Sequence, residues 1–124
     1  MRSRALVRQD ERVSSATERR RVTPTLRVVP LVEHAGVRLI GDVDLSSWPL
    51  LEAAMCPFIA ARGDVHLELA QLRFVDAHGA SILARTAQQL GEGRRMVLHH
   101  PPRVLNRLLG LLWPDVPTIE VSNA

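Results

Sequence analysis

Residues 64–83 read DVHLELAQLRFVDAHGASIL, a pattern typical of a buried strand, a sharp turn and the start of a helix. From Val65 to Leu69, apolar and polar residues alternate at the period-2 spacing of a half-buried strand, and further apolar residues continue toward the turn. Asp76 interrupts that pattern, and an aspartate in front of a helix can accept hydrogen bonds from its free backbone N–H groups. The sequence therefore predicts a helix that Asp76 caps and that runs to about Leu90. The inner face of this helix carries Leu83, Thr86, Ala87 and Leu90.

The residues before this stretch predict a β-hairpin followed by a helix. Two apolar runs, Leu26 to Val32 and Val37 to Val43, are separated by a turn at Ala35-Gly36. Ser47 and Pro49 then place a hydroxyl and a proline where a helix start favours them, so a helix should begin near Ser47.

Two residues of this first helix carry predictions of their own. Pro57 removes an interior hydrogen bond and should kink or end the helix about one turn early. Cys56 has no cationic neighbour to activate it, so we interpret it as a small buried side chain and not as a nucleophile. Because it is the only cysteine, it excludes an intramolecular disulfide and fits a reducing cytoplasm.

The residues after the central stretch predict another strand, a third helix and an edge strand. Gly91 to Gly93 ends the second helix, and Arg95 to His99 supplies a strand whose apolar residues are Met96, Val97 and Leu98. Pro101-Pro102 precedes the third helix, which Trp113-Pro114 ends. Thr118 to Val121 is short and partly β-branched, as an edge strand would be.

These elements predict an α/β domain with the order β-β-α-β-α-β-α-β. Strands separated by helices pair in parallel through right-handed crossovers, whereas the hairpin adds an antiparallel pair. The sheet should therefore be mixed, with four or five strands and with its helices mainly on one face. The residues expected in the core include Leu50, Leu51, Met55, Ile82, Leu83, Leu105, Leu108 and Leu109.

Charge divides the chain at about residue 22. Seven arginines against three acidic residues give residues 1–22 a charge of +4, so the remainder carries −1 although the whole chain carries +3. Residues 1–22 have too few apolar side chains to offset chain entropy, so we predict a basic, disordered tail followed by one domain over residues 23–124. No aromatic residue is interleaved with the arginines for base stacking, which favours a solvated leader or a misplaced start codon over binding of nucleic acid or anionic lipid.

No segment approaches the roughly 20 uninterrupted apolar residues of a membrane span, and none has a signal-peptide core. We therefore expect a soluble, cytoplasmic protein without a membrane span, and no direct nucleic acid binding by the domain.

Three segments carry a family resemblance: Gly41 to Leu45 (GDVDL), Leu67 to Leu69 (LEL) and Phe74 to Ala80 (FVDAHGA). Together they resemble a STAS domain, the fold of anti-sigma-factor antagonists, over roughly residues 25–122. The resemblance implies a protein-binding regulatory module of transcription and signalling. In that family, the residue after the turn aspartate is typically a serine that a partner kinase phosphorylates, often followed by a second hydroxyl residue and a glycine.

This chain departs from the family pattern at Ala77 and His78. Alanine offers no oxygen to phosphorylate, so Ala77 is a degenerate phosphoacceptor position, and His78 cannot supply the hydroxyl. Ser81 and Thr86 follow within the predicted helix, where a kinase would have to unfold the backbone to reach them. We therefore predict a domain that is not switched by phosphorylation at its central turn.

The resemblance places a partner-binding surface at the loop before the first helix and at the start of the second. The surface would consist of Asp42, Asp44, Asp76, Ala77, His78 and Gly79. Asp44 is the expected main contact, although capping of the nearby helix start explains its carboxylate equally well.

Enzyme chemistry is the interpretation that the residues favour least. It would require convergence of Asp76, His78, His99, His100 and Glu68. His99 and His100 are consecutive and alternate in direction, so only one of them should face a given site. No HxxxH or CxxC spacing and no glycine-rich phosphate loop is present, so we predict no catalytic residue, no metal and no cofactor.

Two classes of partner remain open. One is an anti-sigma factor of the GHKL kinase type, and the other is the ATPase of a lipid ABC transporter, of which this chain would be a regulatory subunit. A ligand-sensing STAS module is a third alternative.

Overall fold

The computed structural model describes residues 25–123. Its strands are β1 (Leu26–Pro30), β2 (Gly36–Val43), β3 (Val65–Glu68), β4 (Leu72–Val75), β5 (Met96–His99) and β6 (Ile119–Ser122). Its helices are α1 (Trp48–Ala60), α2 (Ala77–Gln89) and α3 (Arg103–Leu112). The predicted disordered tail, residues 1–22, lies outside the described residues.

The strands form one mixed sheet in the order β1-β2-β3-β5-β6, with β4 also paired to β2. β1 and β2 are antiparallel, and the other pairs are parallel. The predicted α/β class and mixed sheet are confirmed, and the sheet has six strands where four or five were expected.

The additional strand arises in the central stretch, which is two strands and not one. The backbone N–H of Leu72 donates to the carbonyl of Leu69 at 3.1 Å, and this turn separates β3 from β4. β3 then pairs with Gly36–Arg38 and β4 with Gly41–Val43, so both lie along the same edge of β2. Only the partner strand reveals the break, because apolar residues continue through it.

The helices and one face of the sheet enclose the core. Alternate strand residues on that face are buried, among them Val37, Leu39, Val65, Leu67, Met96 and Leu98. They form one apolar cluster with the buried residues of all three helices. Of the eight predicted core residues, six are buried, while Leu50 and Leu108 are only partly buried at its margin. None of the helices within residues 25–123 is long and apolar enough to cross a bilayer.

The opposite face of the sheet, which no described helix covers, is called the open face below. It carries the alternate residues of the central strands, including Arg38, His66, Glu68 and His99.

The first helix differs from its prediction at two residues. It passes through Pro57 and ends at Ala60, so the expectation of an early end is wrong. Pro57 and Ala53, whose carbonyl would lose its helical partner, are both exposed, so water can satisfy that carbonyl. Cys56 is exposed and not buried, because it lies beside the apolar face of the helix and not on it.

Candidate functional site

A β-bulge near the end of β2 sets the direction of Asp42. The pairing register with β4 shifts between Gly41 and Asp42, and Gly41 has a φ of 108°. A side chain at Gly41 would also collide with the carbonyl of Thr25. After the bulge, the Asp42 carboxylate accepts from Nη2 of Arg73 at 3.2 Å, so its charge is already paired on the surface.

The loop between β2 and α1 is organised by the carboxylate of Asp44. Its oxygen Oδ1 accepts from the hydroxyl of Ser46 at 2.7 Å and from the backbone N–H of Ser46 at 3.1 Å, and Thr25 Oγ1 donates to the same group at 3.2 Å. The Ser46 side chain, followed by Thr25 and the Ser46 backbone, lowers the pKa of Asp44. Asp44 is therefore an anion held in one position at neutral pH.

Ser47 occupies the N-cap position of α1 but makes no side-chain cap bond. Its hydroxyl is fully buried, donates to the carbonyl of Asp42 at 3.0 Å and accepts from the backbone N–H of Asp44 at 3.0 Å. The predicted capping role is therefore wrong, because the loop carbonyl competes for the same hydroxyl. These two hydrogen bonds tie the end of β2 to the start of α1.

Asp76 is the N-cap of α2, as predicted. Its Oδ1 accepts from the backbone N–H of Gly79 at 2.7 Å. Both of its oxygens also lie 3.0 Å from Nε1 of Trp48, the first residue of α1. One carboxylate therefore joins the starts of two helices.

The ring of His78 lies against that of Trp48, with centroids 4.1 Å apart and an angle of 50° between the planes. His78 and Ala77 are both exposed at the first turn of α2. Leu45, in the preceding loop, is also exposed, with 71% of its surface accessible.

Gly79, unlike Ala77 and His78, is buried. A side chain there would collide with Val43 and would lie 2.9 Å from Cγ2 of Val75. Its role in the local structure is thus to let α2 pack closely on β2 and β4. As a contact for a partner, Gly79 stays a prediction.

We call Asp42, Asp44, Asp76, Ala77 and His78 the turn surface. The structure brings these predicted residues to the ends of β2 and β4, where the backbone N–H of Asp76 donates to Val43 at 3.1 Å. Trp48 and Thr25, which hold two of the carboxylates, were not among the predicted site residues. An indole N–H needs an acceptor when it is half-buried, but no local pattern identifies Asp76 as that acceptor.

The histidines and Glu68 form a separate group. Nδ1 of His66 lies 2.8 Å from Nε2 of His99, and Nδ1 of His100 lies 3.2 Å from Glu68. His100 has a φ of 54°, which ends the strand alternation, so both consecutive histidines reach the open face of β3. The expectation that only one could face a given site is wrong.

The residues that an enzyme reading would need are divided between these two groups. Along β2, Glu68 is opposite Arg38 while Val75 is opposite Val43, a separation of about 16 Å at about 3.3 Å per residue. Asp76 and His78 instead contact Trp48. Within residues 25–123, no group of three or more potential ligands is arranged to hold a metal ion.

Comparisons with known proteins agree on one fold. A family model described as "Mlab, STAS domain" matches residues 26–112. An anti-sigma factor antagonist from Mycobacterium paratuberculosis is similar in structure, with 23% identity and a TM-score of 0.64 over 80% of this chain and 86% of that one. The anti-sigma factor antagonist SpoIIAA in its unphosphorylated form is similar with 16% identity and a TM-score of 0.58, over 79% and 88% of the two chains. No curated protein matches the chain by sequence.

Proposed function

This chain belongs to the STAS domain family, as its motifs predicted, and on that premise we propose that it is a non-catalytic, protein-binding regulator. Its fold is that of anti-sigma factor antagonists. The proposed partner is an anti-sigma factor of the GHKL kinase type, and the proposed setting is control of transcription in the cytoplasm. The proposal includes the loss of phosphorylation control at residue 77.

The observation that carries this proposal is the exposure of Ala77 and His78 directly after the Asp76 cap. Ala77 occupies the position where related domains have a phosphorylatable serine, and it has no oxygen to accept phosphate. The surrounding backbone is nevertheless held by the hydrogen bonds of Asp76 to Gly79 and Trp48. A site whose backbone is held by these bonds, but which has no hydroxyl at residue 77, supports a permanently unphosphorylated binder.

The charge of the turn surface supports a partner with a basic face. Asp42 is neutralised by Arg73, whereas the Asp44 carboxylate is held only by hydroxyl and N–H donors. Asp44 therefore contributes the net negative charge of the loop. Complementary charges at such a position mainly speed association and select the partner.

Restoring the hydroxyl tests the phosphorylation part of the proposal. Incubated with ATP and a GHKL-type kinase from the same cell, the Ala77→Ser variant should gain phosphate and lose binding, while the parent protein does neither. A phosphate at this helix start adds a charge of about −1.5 to −2 directly on the turn surface. Ser81, which donates to the carbonyl of His78 at 2.6 Å, provides the control, because Ala77→Ser with Ser81→Ala should still be phosphorylated. Phosphate mapped in the parent anywhere from His78 to Thr86 would contradict the proposal.

A matched pair of substitutions at Asp44 tests recognition of charge. Asp44→Asn retains an oxygen that can accept from Ser46 and Thr25, whereas Asp44→Ala removes both the charge and the acceptor. If the partner recognises charge, both variants bind more weakly; if Asp44 only orders the loop, Asp44→Ala alone does. Asp115→Asn, at an exposed carboxylate after α3, is the control. Parent-like binding by both Asp44 variants would place the partner surface elsewhere.

Ala77 also favours a second candidate, a regulatory subunit of an ABC transporter ATPase such as a lipid transporter, because an ATPase partner requires no phosphoacceptor. Calorimetric titration of the protein with a purified GHKL-type kinase and with a purified ABC ATPase distinguishes the two candidates. Binding to the ATPase alone, weakened by Asp44→Ala, would replace the first proposal with the second.

A further inference from the structure

Three histidines lie in a row on the open face of the sheet, and we call them the histidine stack. The rings of His34 and His66 are 4.2 Å apart between centroids and 22° apart in orientation. The rings of His66 and His99 are 5.1 Å apart and differ by 20°. Nδ1 of His66 and Nε2 of His99 are 2.8 Å apart, a hydrogen-bond distance. The stack is far from the turn surface along β2 and takes no part in the proposed function.

The stack connects a loop to the sheet. His34 belongs to the loop of residues 31–35 between β1 and β2, whereas His66 and His99 belong to β3 and β5. Backbone bonds hold the base of the loop, since Leu31 N–H donates to Gly36 at 3.1 Å and His66 N–H donates to Ala35 at 2.9 Å. The loop beyond them extends into solvent, with Val32 98% exposed. The His34 ring is therefore a side-chain contact between the outer loop and the sheet.

The hydrogen bond within the stack depends on protonation. A bond between two imidazole nitrogens holds one proton, so one nitrogen must donate and the other must accept. When both rings are protonated, two N–H groups face each other and the bond is lost. If His34 is protonated as well, its charge lies directly against the charged ring of His66, and stacked like charges repel.

The neighbouring groups do little to neutralise such a charge. Burial, followed by the nearby His34 and His99, lowers the pKa of His66, and the charges of Asp64 and Glu120 oppose this only in part. Of the carboxylates close to the stack, Glu120 pairs with the cation of Arg95 at 3.2 Å. Glu68 lies 3.2 Å from Nδ1 of His100 and makes its hydrogen bond there.

Arg38, on β2, is paired in register with Glu68, so it lies at this end of the open face and adds a positive charge there. Within residues 25–123, no ion pair reaches the three rings themselves. The surroundings thus favour the neutral form of His66.

We propose that the histidine stack is a pH-sensitive latch, which holds the outer part of the loop, residues 32–34, against the sheet when the stack is neutral and releases it when the stack is protonated. Residues 31–34 of the loop line a groove of about 560 Å³, together with Val29 and Pro30 of β1 and with Arg38, Glu68 and His99. Release of the loop would widen this groove. The latch is closed at neutral pH and opens as the pH falls below the ordinary histidine range.

Nuclear magnetic resonance of the full chain tests the latch. As the pH falls from about 7.5 to about 5, the amide resonances of Glu33 and His34 should move in one transition, with the same midpoint as the His66 ring and below 6.5. His66→Phe keeps an aromatic ring in the stack but removes the proton site, so the loop transition should disappear. His100→Gln, at a histidine paired with Glu68 and outside the stack, should leave the transition unchanged.

The parent protein alone can overturn the proposal. Loop amides that do not move with pH would do so, as would three histidines that titrate independently near 6.5. A loop transition that persists in His66→Phe would also refute it. If His66→Phe fails to fold, His99→Phe is the second variant. It removes the other half of the hydrogen bond, so the loop transition should lose amplitude, and an unchanged transition would refute the proposal.

Discussion

The most specific prediction about the candidate site concerns the carboxylate of Asp76. Asp76→Ala removes the N-cap acceptor of α2, a loss of about 1 kcal/mol in typical helices. It also takes away the acceptor of Trp48 Nε1, and a hydrogen bond to a charged group contributes about 1.5 to 3 kcal/mol when buried. Because Trp48 is only half-buried, water recovers part of that second term. We therefore expect the free energy of unfolding to fall by about 2 to 3 kcal/mol.

Two further variants separate the contributions of the cap and of the indole. Asp76→Asn keeps one oxygen for the backbone N–H of Gly79, and asparagine caps helices about as well as aspartate, so its loss should be about 1 kcal/mol or less. Trp48→Phe removes the indole donor and keeps an aromatic ring. In a double-mutant cycle, Asp76→Ala and Trp48→Phe should show a coupling of about 1 kcal/mol, since residues in direct contact are not additive.

Urea unfolding followed by far-ultraviolet circular dichroism is the suitable assay, because replacing Trp48 would change a fluorescence signal directly. The slope of the unfolding free energy with urea should stay constant across the variants, which keeps the comparison to stability alone. A loss below about 0.5 kcal/mol for Asp76→Ala, or additivity of the two substitutions within about 0.3 kcal/mol, would show that this carboxylate does not join the two helices.

Other predictions concern packing and pH. Gly79→Ala should cost about 1 to 3 kcal/mol, because the new methyl group meets Val43, and an unchanged urea midpoint would contradict this packing. Leu83→Ala, at a fully buried side chain, should cost about 2 to 5 kcal/mol in the same assay, whereas Leu111→Ala, at a side chain 70% exposed, should cost far less; equal losses would refute the assignment of the inner face of α2. Because the pKa of His66 is lowered in the folded state, the unfolded chain binds more protons than the folded chain below pH 6.5. The free energy of unfolding should therefore have its full value above pH 6.5 and fall as the pH drops through the folded pKa. His66→Phe should flatten this dependence, and a parent protein equally stable at about pH 7 and about pH 5 would contradict it.

Local patterns in the sequence were sufficient for the element types and for one member of the site. The alternation from Val65 to Glu68 and the helical spacing after Asp76 each depend on residues within one or two turns of chain. The Asp76 cap is local for the same reason, since its acceptor meets Gly79 three residues later. The alternation of strands and helices then restricts the fold to a mixed α/β sheet.

Contacts between distant residues decided the rest. The division of the central stretch into β3 and β4 follows from their pairing with two separate parts of β2, which the apolar run itself does not show. The exposure of Cys56 depends on which side of α1 meets the core.

The geometry of both side-chain groups was likewise beyond local patterns. Trp48 is 28 residues before Asp76, and His66 is 33 residues before His99, yet each pair is within hydrogen-bond distance. A side chain's partner depends on how the chain returns in three dimensions, because hydrogen bonds and burial act over a few ångströms of space and not along the sequence. The sequence by itself therefore determined the fold class and the identity of the turn residues, and only the tertiary structure decided what holds them in position.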